Sequence, residues 1–344
     1  MALPLCWAED RYRDDAGPYG RNLLMDRLMC GIEDGESSEG SNFNPQFWET
    51  LGQAFKATSQ EATKISLAYS KPPLPSEEDC QKLSDGLLNA ILATSTLYYS
   101  LPKKQGITLR KTIREAVADV IEGTMQLIEV ILNSRIQSLS QAQLVSTGSV
   151  WEACDQFEQL PKDNHAAVVS IVSGYLGVVK DALEEMEQAL AGGEDPFSDV
   201  LEDDITGARG NQDTYWSEAD RRLIAPCLGL MKASKACLKK VLGAMKTHGK
   251  VETADQVAQL DDLADITQEV SPSVDELALS MYPPMNQAAV RLNAAKLSSV
   301  LKKVLEITRS SHVCPDTESG WVQFLNNAID HNMNKIKNLT QDAL

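Results

Sequence analysis

Five lysines, Lys232, Lys235, Lys239, Lys246 and Lys250, stand at intervals of three, four, seven and four residues in a chain of 344. At about 100° per residue that spacing brings the ammonium groups to one side of a helix, where they could hold a polyanion or an acidic protein surface. The stretch SKACLKKVLGAMKTHGK, Ser234 to Lys250, places them beside an apolar stripe of Leu238, Val241 and Met245. Lys232, Lys235, Lys239 and Lys246 are therefore the candidate partner-binding residues. From Ser217 to Lys250 there are eight bases against two acids, whereas Val251 to Ser280 holds eight acids and no base. The nearest expected counterions for the lysine edge are thus those of the following helix.

Other reactive side chains are poorly placed for catalysis. The histidines, His165, His248, His312 and His331, stand apart from one another and from any cysteine at metal-ligand spacing. GAMKTHGK departs from a phosphate loop, because five residues separate Gly243 from Gly249, Val251 follows Lys250, and no strand precedes it. Carboxylate pairs such as Glu184 with Glu185 and Asp261 with Asp262 fall on acidic helical surfaces, which solvation explains. The seven cysteines are scattered, with no C-x-x-C spacing, and read as reduced thiols. No catalytic, cofactor-binding or metal-ligating residue is assigned, and no cofactor is expected.

Charge narrows the partner classes. A formal net charge of −17 and a pI near 4.7 repel phosphate and anionic membrane at long range. No aromatic residues interleave with the lysines for base stacking. Where a DNA-reading helix-loop-helix protein carries a basic extension, this chain reads GNQDTYWSEAD. Protein partners are expected, with no direct nucleic-acid or membrane binding. The short apolar opening MALPLCWAEDRYRDD does not form a signal peptide, and no continuous apolar run reaches about 18 residues. A soluble, intracellular protein follows.

The elements that must carry these residues read as helices throughout. Residues 1–43 have little periodicity and end in GIEDGESSEGSN, a composition that points to a disordered arm. From residue 44 to 192 apolar positions recur every three or four residues, as in Cys80, Leu83, Leu87, Ile91, Thr94, Tyr98 and Leu101. These residues are expected to form an amino-terminal bundle. Residues 193–213, rich in acids with Gly and Pro, read as an acidic linker.

Residues 214–344 then form a second bundle, opened by a capping box at Ser217 and interrupted by Pro226, where a kink or a late helix start is expected. A second capping box is expected at Ser273, and the last helix is expected to bury Trp321, Phe324, Ala328, Met333 and Ile336. The fold class is all-α, two antiparallel helical bundles joined by an acidic linker.

Several long strings occur together and in order: FWETLGQAF, LPKKQGITLRKTIREA, VWEAC, KDALEEMEQA, YWSEAD, ASKACLKK, DQVAQLDDLADI, SPSVDELALSMYPPM and SVLKKVLEIT. Over about residues 45 to 340 the chain resembles the cyclin-D-binding protein family, also described as Grap and cyclin-D interacting protein, a helix-loop-helix protein lacking a basic region. The resemblance implies a non-enzymatic regulator in nucleus and cytoplasm. Its implied partners are a D-type cyclin, helix-loop-helix transcription factors and a Grap-type adaptor protein. The implied effects are negative regulation of cell-cycle progression and of transcription. A general likeness to vinculin and catenin helices supports an alternative, a scaffold in adhesion or adaptor signalling, by fold analogy alone.

Overall fold

The computed structural model describes residues 45–133, 140–192 and 216–341. The expected amino-terminal arm, 1–43, and acidic linker, 193–213, lie outside the described residues. All regular structure among the described residues is helical, as the 3.6-residue periodicity requires. The chain divides into two compact units, one ending at Lys162 and the other beginning at Asp163.

The first unit contains α1 (Phe47–Ala68), α2 (Glu77–Tyr99), α3 (Ile107–Asn133) and α4 (Gln141–Asp155). Each helix buries one stripe. On α1 it is Phe47, Leu51, Ala54, Phe55, Ala62 and Ile65. Ser76 caps α2 by accepting from the Asp79 N–H at 3.2 Å, and three acidic residues occupy the first turn, where they complement the helix dipole. Gly106, at φ 112°, supplies the left-handed turn into α3 that a side chain would strain.

Polar contacts fix how α1 meets α4. The buried amide of Gln143 donates to the Ser66 carbonyl at 2.7 Å, Thr147 donates to Ser66 Oγ at 2.8 Å, and the Trp151 indole donates to Thr63 at 2.8 Å. Phe157, just past α4, stacks on Phe55 with ring centroids 5.3 Å apart.

The second unit begins earlier than the sequence suggests. α5 (Asn164–Gly192), expected in the amino-terminal bundle, instead packs against α6 (Glu218–His248), α7 (Ala254–Gln268) and α8 (Val270–Ser280). Its Val168, Val172, Val179, Leu183 and Met186 share one core with Leu230, Leu238, Val241, Leu260, Leu263 and Val274. By length and hydropathy residues 164–191 could cross a membrane, a property hidden from a search for unbroken apolar runs. Here that apolarity serves the core. α9 (Gln287–Ser310) and α10 (Gly320–Leu339) complete the unit, with α10 lying between α6 and α9.

Of four further sequence expectations, the Ser217 capping box holds and the other three are narrowed or corrected. α6 runs unbroken from Glu218 through Pro226, so the helix does not start late. The capping box at Ser217 forms, with Ser217 Oγ accepting from Asp220 N at 3.1 Å. The box expected at Ser273 does not, because α8 starts at Val270 and Ser273 lies buried within it. Pro272 falls in the first turn of α8, where its missing N–H has no helical acceptor to serve. On α10 the buried face is Val322, Leu325, Ile329, Met333 and Ile336, leaving Phe324 71% exposed.

Candidate partner-binding surface

The lysine edge stands on the outside of α6, on the side nearest α5. Lys232 reaches Glu187 of α5 at 2.8 Å, while both side chains remain largely solvated. Lys235 is half-buried, and Lys239, Lys246 and Lys250 are exposed. Among the described residues none of these last four has a carboxylate within ion-pairing distance. The acidic helix expected to neutralise them does not do so. α6 and α7 are joined by a short turn, yet α7 packs on α5 and α9 instead of lying along α6. Asp261 of α7 accepts from the Asn164 side chain at 2.9 Å. The structure therefore engages Lys232 internally and leaves Lys235, Lys239 and Lys246 available.

The opposite face of α6 is closed. Leu238, Val241 and Met245 are fully buried, as are Leu260 and Leu263 of α7. The two helices that read as a helix-loop-helix are members of a packed core and present no ready dimerisation stripe.

The turn between them is held by residues that sequence spacing kept apart. His165 Nε2 meets the Met245 carbonyl at 2.9 Å, next to Gly249. The Lys250 N–H donates to His312 Nε2 at 3.1 Å, so that nitrogen is an unprotonated acceptor. His312 Nδ1 then carries the proton and donates to Gln259 Oε1 at 2.8 Å, while the His312 backbone N–H donates to the same oxygen at 2.9 Å. Burial pushes the His312 pKa below its usual value, outweighing the opposing hydrogen bond with the Lys250 backbone, and the Lys250 charge acts in the same direction as burial. This assembly clamps the end of the lysine edge. No local signal could reveal it, because 147 residues separate His165 from His312 and only the bundle joins them.

Cys154, Cys227, Cys237 and Cys314 are buried thiols. Burial drives the thiols of Cys227 and Cys237 up to about 12; burial and the neighbouring Asp155 do the same for Cys154. Among the described residues no group of three His, Cys, Asp or Glu side chains is arranged to hold a metal ion.

Residues 50–192 match the family described as Grap2 and cyclin-D-interacting, N-terminal, and residues 201–306 match its C-terminal counterpart. The chain is 79% identical over 327 residues to the Cyclin-D1-binding protein 1 homolog of Xenopus laevis, covering 94% of this chain and 99% of that protein. It is 55% identical to the Cyclin-D1-binding protein 1 homolog of Danio rerio over 92% of this chain and 94% of that protein. Against Cyclin-D1-binding protein 1 of Homo sapiens the identity is 49%, over 94% of this chain and 91% of that protein.

Proposed function

This chain belongs to the Grap2 and cyclin-D-interacting protein family, and from that membership we propose that it is a non-enzymatic regulator that binds a D-type cyclin. The observation that carries the reading to particular residues is the lysine edge of α6, along which, among the described residues, Lys235, Lys239 and Lys246 meet no carboxylate at ion-pairing distance. Lys235, Lys239 and Lys246 stand beside a buried apolar stripe in a chain of net charge −17, so their stems can cover apolar surface while the ammonium groups face a partner. Lys232 contributes less freely because Glu187 already holds it.

Binding at this face would oppose cell-cycle progression by occupying the cyclin in nucleus or cytoplasm. The same reading extends to helix-loop-helix transcription factors and to a Grap-type adaptor. Because Leu238, Val241 and Leu260 are buried, a transcription factor meets the closed bundle from outside unless the core opens.

The test is to immobilise a D-type cyclin and measure association of the full chain at low and high salt, with and without Lys235→Glu plus Lys239→Glu. Exposed charges steer encounter, so the double variant should associate about tenfold more slowly at low salt, the difference shrinking as salt is added. Its melting temperature should hold within about 2 °C, since solvated lysines contribute little to stability. No cyclin binding by the unaltered chain would overturn the function. Equal association rates for the two proteins would remove the lysines from it.

A further inference from the structure

We propose that the edge of α6 from Lys235 to Lys246 docks one acidic helix of about three turns from a partner protein. The inference rests on the reading of this edge as a partner surface and adds the shape and charge of what it accepts.

The lysines define a footprint with two ends. On α6 itself Lys235, Lys239 and Lys246 follow one another at four and seven residues, which at about 1.5 Å per residue spans about 17 Å, and Lys250 stands two residues past the helix end. Beyond Lys235 the next lysine, Lys232, is already held by Glu187. Beyond Lys250 the exposed carboxylates of Glu252 and Asp255 begin. Negative charge therefore closes the basic strip at both ends. Carboxylates on a second helix at the same spacing fall on one face of that helix.

The middle of the strip is open. Gly243 occupies the gap between Lys239 and Lys246, and a Cβ built there would meet nothing within 4 Å. An incoming helix can approach closely at that point. The Lys250 end is held in place, since the Lys250 N–H is bonded to His312 Nε2. The backbone of the strip is preformed, so the ordering on occupation falls on the lysine side chains.

Duplex nucleic acid fits the same strip badly. It carries a charge every ~1.7 Å along its axis and continues past a window of about 17 Å, so it would run onto the carboxylates at both ends. A short acidic helix stops where the lysines stop.

The test uses the full chain and a labelled, stapled helical peptide of about three turns bearing glutamates at the spacing of Lys235, Lys239 and Lys246. Fluorescence anisotropy should show salt-sensitive binding. A peptide of the same composition broken by a central proline should bind at least ~10-fold more weakly. Lys239→Glu with Lys246→Glu should cost at least ~10-fold in affinity with an unchanged melting curve. Equal binding of the two peptides, no loss on charge reversal, or competition by a short DNA duplex as effective as the helical peptide would each overturn the inference.

A D-type cyclin measured alongside separates the two levels. Loss of cyclin binding with peptide binding intact removes the cyclin reading and leaves the helix site standing. Cyclin binding that survives charge reversal, together with peptide binding that does not, moves the cyclin elsewhere and also leaves the site standing.

Discussion

Asn164, in the first turn of α5 and 1% exposed, donates its side-chain amide to Asp261 Oδ1 of α7 at 2.9 Å, across 97 residues of chain. The bond anchors α5 at one end, and the Lys232–Glu187 pair ties it to α6 near the other. α5 is thereby a structural member of the carboxy-terminal unit, although the amino-terminal family match extends to residue 192.

A fragment beginning at residue 163 should consequently fold cooperatively, and one beginning at residue 193 should not. The shorter fragment lacks Val168, Val172, Val179, Leu183 and Met186, each fully or almost fully buried. At roughly 1.5–3 kcal/mol per buried side chain that loss matches the whole stability of an ordinary domain. Urea unfolding of the two fragments checks this, and a sharp transition in the shorter one would contradict the assignment of α5.

Two glycines near the end of α6 should respond in opposite directions to alanine. A Cβ on Gly249 would stand 2.5 Å from both the Met245 carbonyl oxygen and His165 Cδ2, so Gly249→Ala should destabilise by about 1–3 kcal/mol. Gly243 faces open space within the helix, and Gly243→Ala should stabilise by up to about 1 kcal/mol. Chemical denaturation of both variants gives the comparison.

His312 should make stability depend on pH. Its folded pKa is lowered, so the unfolded chain binds the proton more readily. The contribution is fully present above the unfolded value of about 6.5 and is lost as pH falls through the lower folded value. His312→Gln should reduce the fall in urea midpoint between about pH 7.5 and pH 5.5. Identical falls in the variant and the unaltered chain would remove His312 as a source of that dependence.

Cys154, Cys227 and Cys237 should resist alkylation in the folded protein at about pH 8, because thiols raised to about 12 hold almost no thiolate there. Mass spectrometry before and after denaturation should show these sites modified only when the chain is unfolded.

Hydrogen exchange should be slow at the amides of Leu238, Val241 and Leu260, whose side chains are fully buried in one core. Rapid exchange at all three would mean that α6 and α7 open readily and could serve as a dimerisation surface.

Much of this molecule was legible as local pattern. Helix periodicity, the Ser76 and Ser217 caps and the lysine edge all arise from residues within a few turns of one another, where backbone geometry alone decides which side chains share a face. Local pattern also misled where several answers satisfied it equally. Trp321 and Phe324 fit an apolar stripe as well as Val322 and Leu325 do, and only the neighbouring helices choose between them.

The sequence by itself determined an all-α chain with a basic helix followed by an acidic one, because periodicity and charge are properties of adjacent residues. Only the tertiary structure decided that α5 joins the second unit, that α7 turns away from Lys239 and Lys246, and that His165 and His312 meet at the α6–α7 turn. Those outcomes depend on which apolar faces bury one another most completely, a choice made among all the helices at once that no window along the chain contains.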